Sequence, residues 1–453
     1  MKKILYLIFL LLPFPLLRVT AQESIPELPP CAFDLYWQHL EKEQPGIRTR
    51  YETALRGSGN TTGAARPTGI VYRIPVVFHV LYFQQGNTKI WDIPDSTLQE
   101  QVAILNEAYR SRNADTANLR TVFKHLKADA EIEFYLATKD PGGVTTNGIT
   151  RTPTAIEAFG GSSNNIVYFI DSIERIKSTA AGGKDPWPTN RYLNIWISDM
   201  SRWVNNQYQI GVIGYGTPPL NPLPPNWGNI TYLDNTRDGI ILQYQFVGAQ
   251  KSPYRALAES RGCGKGRTVV HEVGHYLGLN HIFGGSSNPY CSVADDDGIG
   301  DTPLQAIVTG APDPAKNTCG AGEAGDLPDL WENYMDYTRE PFQVMFTLEQ
   351  AGFMRNILLQ RRDTLVNDYP TGLISEKHAQ QSIQVFPQPA RTTLSIVFAG
   401  KADGIALTDI TGKTIYQSAD KQPIPVSHLP SGLYFLKLQS GQNFYTRKVV
   451  VQH

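Results

Sequence analysis

With 453 residues, 41% of them hydrophobic and 18% charged, the chain has the length of two or three folded units and the composition of a soluble globular protein. A formal net charge of −1 gives no bulk attraction to nucleic acid or to an anionic membrane. Four cysteines, at 31, 263, 291 and 319, are too few for a disulfide scaffold. The N-terminus reads as a secretory signal over residues 1–21: Met1-Lys2-Lys3, an apolar run from Ile4 to about Leu17, then Val19-Thr20-Ala21. A membrane anchor is the competing reading, but the run is short and broken by Pro13 and Pro15, and no later segment reaches bilayer-spanning length, so no transmembrane segment is expected. Residues 22–66, polar with a Gly/Thr-rich end, look like a removable or loosely packed leader. Order starts at Tyr72, where Arg73 to Leu81 is a nearly continuous apolar, β-branched run expected of a strand buried on both faces. Ser96 to Gln99 offers a capping box for a helix with Leu98, Val102, Leu105 and Tyr109 on one face. Glu131–Ala137, Tyr192–Ile197 and Asp238–Leu242 read as further strands, which makes a mixed α/β layer over residues 67–370. From about 380 to 453, six short alternating strands separated by Pro, Gly and Asp turns predict a small all-β sandwich.

The chemistry concentrates in His271-Glu272-Val273-Gly274-His275-Tyr276-Leu277-Gly278-Leu279-Asn280-His281, which holds three of the nine histidines. Residues four apart on a helix share a face, so His271 and His275 can present two imidazoles to one cation. Glu272 falls on the neighbouring side, within reach of a water on that cation without being a ligand. Gly278 lets the chain leave the helix and return His281 as third ligand. Three imidazoles suit zinc and leave one position open, which distinguishes a catalytic from a structural site. Zinc would bring the pKa of a water there to roughly 7, with Glu272 as general base and later proton donor to a leaving amine. Packed or solvated helix histidines are the bland alternative, and a secreted binding or adhesive protein with structural zinc is the rival function. A zinc hydrolase acting on non-peptide substrates is a third.

Asn333-Tyr334-Met335-Asp336-Tyr337-Thr338 follows downstream. A long histidine motif followed by a methionine turn resembles the metzincin clan of zinc metallopeptidases. More narrowly, HEVGHYLGLNHIFGG, Asp301-Thr302-Pro303, NYMDYT, IPVVFHVLY and RYLNIWIS resemble the pappalysin family in its bacterial secreted branch, over roughly residues 66–360. The resemblance implies a metzincin-like α/β (α+β) catalytic domain with a mixed sheet and an active-site helix. It also implies endopeptidase activity on protein or peptide substrates, Met335 as an apolar floor under the metal, and Tyr337 as an oxyanion donor; from the residues alone both would be ordinary core. The acidic, glycine-containing loop Asp295 to Pro303 suits calcium or is simply solvated; the resemblance favours calcium, with Asp297 and Thr302 as ligands. It further implies a Cys291–Cys319 disulfide closing that loop. It gives Cys31 as a cysteine switch whose thiolate fills the open zinc position until cleavage near Arg50, Arg56 or Arg66; an unpaired or disulfide-bonded cysteine is the alternative. Cys263 reads as a buried free thiol. The resemblance further implies a preference for a basic residue after the cut. The segment from Ser382, through Val385-Phe386-Pro387-Gln388-Pro389-Ala390, Asp409-Ile410-Thr411-Gly412-Lys413 and Leu429 to Tyr434, resembles the C-terminal sorting domain of the type nine secretion system, which would make secretion machinery its partner and the protein secreted or bound to the cell surface. A carbohydrate-binding or adhesive sandwich is the alternative there.

Overall fold

The computed structural model describes residues 29–56, 69–162, 166–220, 237–284, 291, 296–320, 326–366, 384–397, 402–409, 413–418, 422–440 and 443–453. The expected signal segment lies outside these.

Two helices open the described chain, α1 (Phe33–Glu43) and α2 (Ile47–Arg56). The apolar run after them becomes β1 (Tyr72–Gln85), followed by β2 (Thr88–Ile90), α3 (Asp95–Tyr109), β3 (Ile132–Leu136), β4 (Ile149–Thr154) and α4 (Ile166–Glu174). Next come β5 (Leu193–Ser198), the hairpin β6 (Arg202–Val204) and β7 (Gln207–Gln209), β8 (Gly214–Gly216), β9 (Ile240–Gln243), α5 (Arg255–Ser260), α6 (Arg267–Tyr276) and α7 (Leu348–Arg361). The main sheet has the path β2-β1-β5-β9-β8, and β1 is long enough to pair with β3 along its first half and β4 along its second. The pairs β1–β5 and β5–β9 are parallel, whereas β8 joins β9 antiparallel at the edge.

Period-2 alternation sends side chains of each central strand to opposite faces. Val76, Phe78 and Val80, Ile195 and Ile197, and Ile240 and Leu242 enter one core with α3, α6 and α7. Leu81, Trp196 and Ile241 enter a second, with α1 and α4. Both faces are covered, as the continuous apolar runs require.

Two expectations need correction. The leader is not loosely packed over its described part: Phe33, Leu35, Tyr36, Trp37 and Leu40 of α1, and Ile47 and Tyr51 of α2, are buried in the second core. The apolar spacing that achieves this is diluted in sequence by intervening charges. The capping box at Ser96 does not form either. Helix α3 begins two residues earlier, at Asp95 after an extended Pro94, with no side-chain cap, and the Thr97 hydroxyl donates to the Lys251 carbonyl instead.

The C-terminal unit is the expected sandwich. One sheet is formed by β10 (Gln384–Phe386), β11 (Thr393–Val397) and β14 (Ile424–Pro425). The other contains β12 (Gly404–Thr408), β13 (Thr414–Ser418), β15 (Gly432–Ser440) and β16 (Asn443–Val451), in the order β13-β12-β15-β16. Leu394, Ile424, Leu407, Leu436 and Val449 meet in a core of their own.

Candidate metal centre and active site

Helix α6 starts from Gly266, whose φ of +68° places it in the left-handed region and whose missing side chain leaves the first N–H groups uncapped locally. Glu340, far along the chain, supplies the cap: its carboxylate accepts from the backbone N–H groups of Lys265 and Thr268 and from the Thr268 hydroxyl. Burial holds the Glu340 pKa above the ordinary range. At the other end Gly278, at φ +91°, turns the chain out of the helix as its residue type predicted.

The three histidines converge. Their Nε2 atoms lie 3.1 to 3.2 Å apart, close to the roughly 3.3 Å that separates nitrogens bound at about 2.0–2.1 Å in a tetrahedral zinc site. Each ring is oriented by its other nitrogen. His271 Nδ1 donates to the Tyr334 carbonyl at 2.7 Å, His275 Nδ1 to the Leu279 carbonyl at 2.7 Å, and His281 Nδ1 to the Asp34 carboxylate at 2.9 Å. With Nδ1 carrying the proton, every Nε2 lone pair faces the common centre. Burial pushes His271 down to about 3 and His275 well below the usual range, the neighbouring rings adding to it. Neutral imidazoles are the form a metal needs.

Cys31 joins this group. Its Sγ and the three nitrogens all lie within 4.8 Å of one another, and all four residues are buried. The donor set therefore fits a four-coordinate zinc with the thiol in the position that three histidines leave open. The thiol donates to Glu272 Oε2 at 3.4 Å. Burial first, then the Glu272 charge, holds the thiol pKa well above normal, and burial raises Glu272 to about 8. The backbone on either side of Cys31 runs along β8: the Ile213 N–H donates to the Pro30 carbonyl and the Ala32 N–H to the Gly214 carbonyl. Phe33 stacks on the His275 ring, centroids 3.8 Å apart and planes 6° apart.

Met335 is fully buried beneath α6, so close that a Cβ on Gly274 would meet its Sδ at 2.4 Å. Tyr337 packs against His281 and His271, with centroids at 4.7 and 5.7 Å, and its hydroxyl donates to the Cys31 carbonyl at 3.5 Å. A cavity of about 60 Å³ beside Glu272 is lined by Thr268, Cys263, Asp336, Thr338, Glu340 and Gln343. The Asp336 carboxylate accepts from Gln305, Thr309 and Thr338, and burial lifts its pKa to about 6. Cys263 is free as expected but only half-buried, its thiol pushed up to about 12 by burial.

Cys291 and Cys319 form the expected disulfide. Asp297 and Thr302 are brought together, the Thr302 hydroxyl donating to Asp297 Oδ1 at 2.9 Å. Asp301 accepts from the Glu349 N–H at the start of α7. Asp34, Phe33 and Glu340 were not identified from sequence. Asp34 carried one signal, a carboxylate three residues after Cys31, whereas Glu340 carried none.

The chain is similar to known proteins in sequence and fold. Residues 254–359 match the family model described as pregnancy-associated plasma protein-A, and residues 384–452 the model for a secretion system C-terminal sorting domain. Mature mirolysin of Tannerella forsythia, solved in complex with a cleaved peptide, is 32% identical with a TM-score of 0.52, over 66% of this chain and 97% of that one. A promirolysin mutant from the same organism is 30% identical with a TM-score of 0.57, over 74% and 97%. An extracellular metalloprotease of Aspergillus fumigatus is 35% identical over 205 residues, 45% of this chain and 55% of that one. One of Arthroderma benhamiae is 37% identical over 94 residues, 21% and 32%. The matches thus span between about a third and about half of these two curated relatives. From the histidine cluster, the methionine turn and these likenesses, the chain belongs to the pappalysin family of metzincins, with a type nine secretion sorting domain at its C-terminal end.

Proposed function

We propose that this chain is the zymogen of a secreted zinc-dependent endopeptidase. The observation that carries this reading is the set of three Nε2 atoms 3.1 to 3.2 Å apart, each ring held from behind, with the Glu272 carboxylate on the same helix. His271, His275 and His281 would hold zinc, which when bound polarises a carbonyl and lowers the pKa of water. Glu272 takes the proton of the attacking water and passes it to the leaving amine. Tyr337 donates to the oxygen on which negative charge develops. Its present partner, the Cys31 carbonyl, is a peptide oxygen. The Ile213 N–H and Gly214 carbonyl, now occupied by the leader, are the groups that a substrate backbone would use.

Cys31 is the switch: its thiol sits where the open position would be and contacts Glu272, so both nucleophile site and base are covered until the leader is cut. A peptide-complexed relative and the sorting domain support protein or peptide substrates and export. The described residues contain no helix long and apolar enough to cross a membrane. Asp336 and Glu340, two buried carboxylates whose partners here are N–H and O–H groups, support a preference for a basic residue after the cut. Calcium at Asp297 and Thr302 rests on the family resemblance and on their proximity.

The test is cleavage of a quenched peptide library by the leader-free chain. Wild type should cut, with a basic residue favoured after the scissile bond. Glu272→Ala should lower kcat/KM by about 10²- to 10⁴-fold, and chelation should abolish cutting until zinc is returned. A folded, zinc-loaded, leader-free chain that cuts nothing would instead establish a secreted zinc-containing binding protein.

A further inference from the structure

Two of the three ligand rings are anchored by backbone carbonyls of the catalytic unit itself, those of Tyr334 and Leu279. The third is not. His281 Nδ1 has as its partner the carboxylate of Asp34, on helix α1 of the leader. Its position in the chain makes that difference matter. His271 and His275 ride on α6, but His281 lies beyond the helix end, past the turn at Gly278, where no regular backbone fixes its side chain.

The leader grips this segment twice. Asp34 holds His281, and Glu52 on α2 accepts from the side-chain amide of Asn280, the preceding residue, at 2.9 Å. Asp34 is itself positioned: Arg48 Nη1 donates to its other oxygen at 3.2 Å. Arg48 is placed by Glu41, whose carboxylate accepts from the backbone N–H groups of Gly46 and Arg48 across the α1–α2 turn. This chain of contacts runs through two leader helices and ends on a ligand imidazole.

A carboxylate behind a ligand histidine fixes its tautomer and orientation and increases its basicity, and removing such a partner typically weakens metal binding 10- to 100-fold. We propose that Asp34 is a positioning residue that makes the zymogen the form that captures the metal, so that the leader assembles the site as well as blocking it. The inference rests on the zinc and leader reading above but is separate from the thiol switch. Leader removal would take away the Asp34 carboxylate and the Glu52 clamp together, leaving His281 with neither.

The experiment measures metal retention in the full chain, carrying Glu272→Ala in every sample so that the leader stays attached. Zinc transfer to a chromophoric chelator gives the rate and affinity, and the visible spectrum of the cobalt-substituted chain reports ligand geometry. Asp34→Ala should release zinc about 10- to 100-fold more readily and alter the cobalt bands, while the metal-free chain melts as before. Asp34→Glu should restore most of the retention. Glu52→Ala, which removes the Asn280 contact and leaves the ring contact in place, should give a smaller change of the same sign. In a Cys31→Ala background the Asp34→Ala effect should persist, because the thiol and the carboxylate act at different atoms. Asp34→Ala and Glu52→Ala chains that hold zinc as tightly as their parent, with unchanged cobalt spectra, would overturn the proposal and leave the zinc reading standing. A parent chain that binds no zinc stoichiometrically would overturn both.

Discussion

His79 and His271 are both buried imidazoles, 0% and 5% exposed, yet only His271 belongs to the metal cluster. His79 sits inside the sheet on β1, hydrogen-bonded to Thr150 Oγ1 at 2.8 Å and Asn194 Oδ1 at 2.9 Å. Burial lowers its pKa to about 4. The sign of its effect on stability follows from linkage. Between about pH 6.5 and pH 4 the unfolded chain carries a proton on this ring that the folded one does not. Stability is therefore retained above the unfolded pKa and lost as the pH falls through that window, by roughly 3 kcal/mol in full. Urea denaturation at pH 7 and pH 4.5 should show this loss in wild type and a shallower one in His79→Gln; equal losses would mean that the ring is already charged in the fold. Sequence alone gave His79 as part of a buried strand, and it could not say that two polar side chains from other strands would satisfy it.

Among the elements, the approach of β8 to α6 decides where the Glu272 carboxylate stands. Gly214 and Gly216 make it feasible: a Cβ on Gly214 would lie 2.5 Å from Glu272 Oε1, and one on Gly216 would lie 2.4 Å from the Glu272 backbone oxygen. The two positions should behave differently. Gly216→Ala pushes strand against helix backbone and should cost about 1–3 kcal/mol, read as a lowered melting temperature. Gly214→Ala pushes chiefly on the carboxylate, so the leader-free enzyme should lose at least about tenfold in kcat/KM for a smaller change in melting temperature. Equal effects of the two substitutions in both assays would refute this division. The helix itself was legible in advance, since His271 and His275 owe their common face to a local repeat. Its cap was not, because Glu340 follows Thr268 by 72 residues and meets it only after the methionine turn has folded back.

At the scale of the whole molecule, the described chain builds separate cores. The two clusters on either face of the main sheet share no residue with the C-terminal cluster. A chain ending near Val366 should keep the catalytic melting transition within about 2 °C and lose a second, smaller transition in calorimetry; a single transition that shifts on truncation would show that the two units fold as one. The segment proposed as a leader behaves otherwise, since its aromatic side chains are part of the second cluster. Removing it should expose Phe169, Ile173 and Tyr215 on the face that α1 and α2 now cover.

The sequence by itself determined what depends on short separations: the strand and helix periods, the His271–His275 pair, the exit at Gly278, and the alternating strands of the C-terminal sandwich. Through resemblance it also indicated the methionine turn, the Cys291–Cys319 disulfide and a cysteine bound for the metal site. Tertiary structure alone decided which groups hold those residues in place. Asp34 reaches His281 across 247 residues and Glu52 reaches Asn280 across 228. Both contacts are set by how two leader helices pack on the sheet, a long-range arrangement that no local spacing encodes.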